Sequence, residues 1–298
     1  MTTKRFYSIG SEWVFYKVYT GRRTADSILT QIILPLTNKM LIDGIIDKWF
    51  FIRYADPRFH LRIRLHSPDS NNFHKIVSTL KKPLEKMIEK DLIWKIQLDT
   101  YQRELERYGN DSMELSESIF YYDSISIIQL IDVIEEYEDE NLRWLFGLRS
   151  IDSLLNCFNY SLQDKLVLLK YLKTGFGLEF GMSRPLKKQL DLKYREARQK
   201  VDNFLILNKN KSEYSPILSI IQQKEHNMQP TIRELLSTKK YTYEELNGLL
   251  SSYIHMHMNR LFKSKNRLNE MVCYDFLYRY YNSLNARVKI RNRENSNK

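Results

Sequence analysis

Residues 60–66 read "HLRIRLH". Successive side chains of a strand point to opposite faces, so His60, Arg62, Arg64 and His66 share one face and Leu61, Ile63 and Leu65 the other. The apolar set reads as core. The other four are potential cations in one row, which repel unless something anionic lies over them. A guanidinium fork matches a carboxylate bidentately, so anion recognition is the chemistry this row offers. An exposed strand face with local salt bridges is the plainer alternative.

Two further stretches carry reactive groups. In "YQRELERYGN" (101–110), Glu104 and Arg107 lie three apart, so one helical turn or a loop can present both inward while Glu106 points elsewhere. Pattern alone reads them as a surface ion pair. In "SSYIHMHMNRLF" (251–262), Leu246, Leu250, Ile254, His257 and Leu261 form one apolar stripe, which makes His257 a core-edge histidine. His255 falls on another face with Ser251, Ser252 and Asn259, where there is room for a substrate and for proton transfer.

These groups need a frame. "EWVFYKVYT" (12–20) reads as a strand, and residues 24–43 as a helix kinked or broken at Pro35. "WFFIRYA" (49–55) and "HLRIRLH" are strands joined through "DPRF", followed by an amphipathic helix over 71–91 and a last strand in 94–102. With "PR" as a two-residue tip, Arg53 faces Arg62 across the hairpin. The order β-α-β-β-α-β is that of a ferredoxin-like sheet, whose helices cover one face. From about residue 114 onward the spacing turns helical, over 116–137, 162–174, 185–207, 214–224, 231–238, 242–263 and 267–287. The fold class is therefore α+β, with a ferredoxin-like portion over 1–110 and a helical portion over 111–298 packing on it as one compact domain. "GFGLEFG" (175–181) reads as a loop between helices; its spacing and context are wrong for a dinucleotide fingerprint.

Composition narrows the function classes. The 298 residues are 43% hydrophobic and 13% aromatic with nine Gly and seven Pro, which excludes a disordered or low-complexity chain. No apolar segment suits a signal peptide or a membrane span, so a cytoplasmic protein is expected. Cys157 and Cys273 have no Cys or His at metal-ligand spacing and read as buried thiols. The formal charge is +11, of which residues 259–298 supply +7 through ten Lys/Arg against three acids. Their end, "RVKIRNRENSNK", reads as a solvated basic tail, and direct nucleic-acid binding is not expected from it. "DVIEEYEDEN" (132–141) reads as a solvated helix end and its loop.

In order and separation, "SEWVFYKVY", "WFFIRYADPRFHLRIRLH", "YQRELERYGN" and "IHMHMNRLF" resemble the thiopeptide-type bacteriocin biosynthesis domain. That is the C-terminal glutamate-elimination domain of class I lanthipeptide dehydratases, which also occurs free-standing. About a dozen residues precede "EWVFYKVY", so the resemblance implies the elimination half of a split dehydratase. In that family a tRNA-dependent partner glutamylates Ser or Thr of a precursor peptide, and this domain removes the glutamate to leave dehydroalanine or dehydrobutyrine.

Carried over by motif, the catalytic set is Arg62, Arg64, Glu104, Arg107 and His255, the last favoured over His257 by its spacing to Asn259 and Arg260. Arg53, His60, Asn259 and Arg260 complete the substrate-binding expectation. The implied partners are the glutamylated precursor peptide, a separate glutamylation protein and a cyclase, with a homodimer also open. No metal or organic cofactor is implied. Two competing readings stand beside elimination: pyridine-synthase-type ring formation within the same family, and a non-catalytic module recruiting precursor peptide or tRNA.

Overall fold

A computed structural model describes residues 3–207 and 213–296, with side chains as far as residue 290. The protein is α+β. Strands β1 (Phe6–Tyr7) and β6 (Tyr101–Gln102) pair as a small ribbon. Strands β2 (Trp13–Thr20), β3 (Lys48–Tyr54), β4 (His60–His66) and β5 (Ile93–Asp99) form an antiparallel sheet in the order β3-β4-β2-β5. Helix α1 (Thr24–Ile28), a π turn (Leu29–Ile33) and α2 (Leu34–Ile42) connect β2 to β3, and α3 (Phe73–Glu89) connects β4 to β5. This is the split β-α-β-β-α-β arrangement expected above. Pro35 does not break the helix: it cannot donate a backbone hydrogen bond, and the turn before it widens to π geometry.

The period-2 pattern sets the two sheet faces. Val14, Tyr16 and Val18 of β2, Trp49 and Phe51 of β3, and Leu61, Ile63 and Leu65 of β4 are buried together on one face. On the other, Phe15 pairs across with Arg64 and Lys17 with Arg62, while Phe50 and Ile52 flank the same arginines from β3.

The hairpin register corrects one expectation. Tyr54 pairs with His60, so the tip is the five residues 55–59 and not a two-residue turn. Arg53 therefore sits opposite Leu61, and Ile52 opposite Arg62. A one-residue slip exchanges sheet faces, so Arg53 lies on the face away from Arg62 and Arg64.

Two compact units divide the chain, and they do not follow a boundary at 110. The first runs to Asp139 and adds Gln222–Ser264, taking in α4 (Leu105–Tyr108), α5 (Met113–Tyr137), the later part of α9 (Ser215–Thr238) and α10 (Tyr243–Leu261). The second holds Glu140–Ile221 and the chain from Lys265, with α6 (Asn141–Cys157), α7 (Leu162–Glu179), α8 (Arg184–Ile206) and α11 (Asn266–Ser296).

In this second unit Leu145, Phe146, Leu169, Phe204 and Leu277 lie in the core, and Lys165 pairs with Asp152 at 2.6 Å. Helix α6 has no counterpart in the sequence-based segments. Residues 175–179 continue α7 where a loop was expected, α9 runs unbroken through Pro230, and the backbone of α11 stays helical to Ser296 where a tail was expected.

Candidate active site

Arg64 is the centre of the site. Its guanidinium carbon lies 4.4 Å from the centroid of the Phe15 ring, 4.8 Å from Tyr101 and 5.3 Å from Phe50, and the residue is 8% exposed. Aromatic faces favour a stacked cation, but they do not neutralise it. Among the described residues no carboxylate pairs with Arg64, and its Nε meets no acceptor. Burial pushes its pKa down to about 10, against the pull of Tyr101, so at neutral pH the group is still a cation. Such a charge, buried and without a counter-ion, is costly unless an anion arrives from outside.

Arg62 is held differently. It lies over the Tyr54 ring, 3.4 Å from the centroid, and its Nε donates to His60 Nε2 at 3.1 Å. That bond leaves the His60 hydrogen on Nδ1, which donates to the Arg58 carbonyl at 2.8 Å. Burial lowers the His60 pKa, which agrees with a neutral ring. Among the described residues Arg62 has no carboxylate partner either. His66, at the far end of the row, is bonded to Asp47 at 2.6 Å, so the row is not uniform.

A cleft of about 320 Å³, including its open mouth, is lined by Arg64, Glu104, Tyr101, Gln102 and Tyr108, with Phe50, Ile52, Phe120, Met113 and Met256 supplying apolar walls. Glu104 sits at the rim, its carboxylate 3.2 Å from Arg107 Nε, with both side chains solvent-accessible. Met256 follows His255 on α10, which is half-buried. The structure thus places Arg64 and Glu104 in one cleft and Arg62 two residues along the same sheet face; Arg107 and His255 are not among the residues lining it.

Arg53, Asn259 and Arg260 are engaged elsewhere. Arg53 is buried against Asp26 at 2.6 Å and donates to the Arg260 carbonyl at 2.8 Å. β3 is an edge strand, and side chains cover its free edge. Ser124 Oγ accepts from the Phe51 N–H at 3.2 Å, Arg260 Nε donates to the Phe51 carbonyl at 2.7 Å, and Asn259 Oδ1 accepts from the Arg53 N–H at 3.0 Å.

Behind this edge Asp123 accepts from Arg260 at 3.1 Å and Lys224 at 3.3 Å and is bonded to His257 at 2.7 Å. His257 is buried as its stripe implied, but in a polar network.

The sequence reading missed Tyr101, Tyr108 and Glu117. Glu117 accepts from Tyr101 Oη at 2.8 Å and forms a two-pronged bond with buried Arg103, at 2.8 and 2.6 Å, fixing the ring that lies against Arg64. Both tyrosines belong to the stretch already singled out for Glu104 and Arg107. Among the described residues no cluster of three or more His, Cys, Asp or Glu could hold a metal ion, and no helix is long and apolar enough to cross a membrane.

The profile of the family described as lantibiotic biosynthesis dehydratase C-term matches residues 13–281. The chain is similar to the nisin biosynthesis protein NisB of Lactococcus lactis subsp. lactis, with 26% identity over 274 residues, 89% of this chain and 25% of that protein. It is similar to the subtilin biosynthesis protein SpaB of Bacillus subtilis, with 24% identity over 266 residues, 88% of this chain and 25% of that one. The chain therefore spans about a quarter of the length of these relatives.

Among solved structures, the tRNA dependent lantibiotic dehydratase MibB from Microbispora sp. 107891 superposes with a TM-score of 0.75 at 19% identity, over 94% of this chain and 29% of that one. The pyridine synthase TbtD from thiomuracin biosynthesis superposes at 0.64 and 12% identity, over 93% and 98%. Both show the same fold.

Proposed function

The chain belongs to the C-terminal family of lantibiotic biosynthesis dehydratases, and from that premise we propose that it is a lyase removing glutamate from glutamylated Ser or Thr of a ribosomal precursor peptide. The products are dehydroalanine or dehydrobutyrine and free glutamate. The observation that carries this reading is Arg64, a buried guanidinium on three aromatic rings, open to a cleft and without an internal carboxylate.

The chemistry fits that arrangement. Glutamate transferred from an aminoacyl-tRNA is esterified through its α-carboxyl, so the ester breaks to a carboxylate while the side-chain carboxylate is free throughout. Two carboxylates need two positive groups. Arg64 and Arg62 stand two residues apart on one strand face, roughly 7 Å, with Arg64 for the leaving carboxylate and Arg62 for the free one. Elimination takes the α-hydrogen as a proton, forms Cα=Cβ and breaks Cβ–O with its electron pair leaving on glutamate. A peptide α-C–H is a weak acid, and fixed donors near the developing charge are worth on the order of 10²–10³ in rate each.

His255 serves as the proton-transfer residue, carried by α10 beside the cleft-lining Met256. Glu104 at the rim orients Arg107 or joins the proton transfer. A tRNA-dependent glutamylation activity supplies the substrate, in the cytoplasm where charged tRNA is available.

Mass spectrometry of a synthetic glutamylated Ser peptide incubated with this protein tests the reading. A product one water lighter than the unmodified peptide supports elimination. Regenerated serine means ester hydrolysis and counts against it, as does an unchanged peptide in the presence of precursor and partner. Given instead a peptide already carrying two dehydroalanines, a ring-closed product with loss of a peptide fragment favours pyridine-synthase chemistry.

A further inference from the structure

Two residues lining the cleft each carry a buried polar atom with no hydrogen-bond partner among the described residues: Arg64 at Nε and Tyr108 at its hydroxyl. Arg64 is accounted for by the carboxylate of the elimination. Tyr108, 4% exposed, is not. A buried O–H without an acceptor is costly, so its retention against a cleft needs a reason.

Its ring has no freedom to swing towards an acceptor. It stacks on Tyr253 with centroids 5.8 Å apart and planes at 20°, and meets Phe120 edge-on at 5.1 Å. Tyr253 is itself tied by its hydroxyl to Ser116 Oγ at 2.7 Å. The backbone is equally fixed. The Tyr108 N–H donates to the Glu104 carbonyl at 3.1 Å and Ser112 Oγ donates to the Tyr108 carbonyl. Gly109 has φ +79° and ψ 154°, and a Cβ there would meet Ser112 Oγ at 2.9 Å, so this turn closes only with glycine. One tight turn thus presents Glu104 at the rim of the cleft and Tyr108 in its wall. Burial, reinforced by Glu104 and opposed by the Arg107 guanidinium, pushes the Tyr108 phenol up to about 12, so it acts as a proton-bearing donor and not as a base.

Resting on the elimination reading above, we propose that Tyr108 is a catalytic hydrogen-bond donor, giving its O–H to the carbonyl oxygen of the reacting Ser or Thr residue as that oxygen takes up enolate charge. In the step, the base removes the α-proton and the C–H electron pair moves onto the carbonyl oxygen facing Tyr108. The pair then returns to form Cα=Cβ, and the Cβ–O pair departs on the glutamate carboxylate facing Arg64. Tyr108 keeps its proton throughout, so no co-reactant is needed.

Tyr108→Phe preserves the ring packing and removes only the O–H. The expected result is a kcat for elimination lowered about 10²-fold, KM within about twofold, and circular dichroism and thermal midpoint like those of wild type measured alongside. Full kcat in the variant, or a raised KM with kcat unchanged, overturns the proposal and leaves elimination standing. An inactive wild type sinks the underlying reading instead. Should Tyr108→Phe misfold, 3,5-difluorotyrosine at 108 keeps shape and hydroxyl while lowering the phenol pKa. The alkaline limb of the kcat–pH profile is then expected to move towards neutrality, and an unmoved limb overturns the proposal.

Discussion

Arg64 stands directly across the β2–β4 ladder from Phe15, its guanidinium carbon 4.4 Å from the centre of that ring. A cation so placed is favoured by the ring quadrupoles and paired with no carboxylate among the described residues, and replacing a buried charge by an apolar side chain of similar size is commonly neutral or stabilising. Arg64→Met is therefore expected to keep or raise the thermal midpoint while elimination falls by at least about 10²-fold. Arg64→Lys should fail similarly, since an ammonium lacks the planar fork. Calorimetry beside product mass analysis checks both, and a lowered midpoint with activity intact contradicts the site.

The buried pair Arg53–Asp26 behaves in the opposite way. Asp26 Oδ1 holds Arg53 at 2.6 Å and Asp26 Oδ2 holds Lys263 at 3.2 Å. Asp26→Ala strands a buried guanidinium and should cost about 3–5 kcal/mol. Urea denaturation measures this, and elimination by the folded fraction should persist. An unchanged unfolding midpoint would show that the pair does not hold α1 to β3.

Glu104 and Arg107 separate stability from function. Their side chains are 58% and 43% exposed, so the ion pair is worth under about 1 kcal/mol. Glu104→Gln should leave the unfolding midpoint within experimental scatter and still slow elimination. Equal rates for variant and wild type would reduce the pair to surface decoration.

Acid should weaken the fold before the carboxylates titrate. Burial lowers the His257 pKa despite Asp123, so the folded ring stays neutral where the unfolded one, at about 6.5, takes a proton. The unfolded state then binds more protons, and stability drops as pH falls below about 6.5, no more steeply than ~1.4 kcal/mol per pH unit per histidine. His60, also lowered by burial, adds in the same direction. Asp123 works at lower pH: burial opposes its ionisation, but His257, Lys224 and Arg260 hold its carboxyl well below the usual range, so its contribution persists at pH 5. Urea midpoints at pH 7, 6 and 5 should decline for wild type and decline less for His257→Gln, which can still donate to Asp123.

Much of the α+β portion was legible in the sequence. The alternation in 60–66 and 13–20, and the apolar spacing of Ile76, Leu80 and Leu84, are local consequences of strand and helix periods, so the type and order of these elements followed from residue order alone, whereas α6 was missed. The pairing of Arg62 and Arg64 on one face was equally local. What failed was whatever depended on parity, cover or length. Arg53 changed face because a hairpin tip of five residues, and not two, shifts the register by one. Segments 214–224 and 231–238 were read apart and 175–181 as a loop, but α9 runs continuously through Pro230 and α7 extends to Glu179.

The tertiary structure alone decided which polar groups were already satisfied. Arg260 and Asn259 lie in a motif that looks like substrate recognition, yet each bonds the β3 edge, because an edge strand must have its backbone groups met. Tyr108 carried no signal in the sequence; only the packing shows a cleft-lining residue whose hydroxyl is buried without a hydrogen-bond partner among the described residues. Residue types and spacing determined by themselves that this protein has a cationic strand face; only the packing around that face determined which of its cations lack an internal anion, since a counter-ion is a neighbour in space and not in sequence.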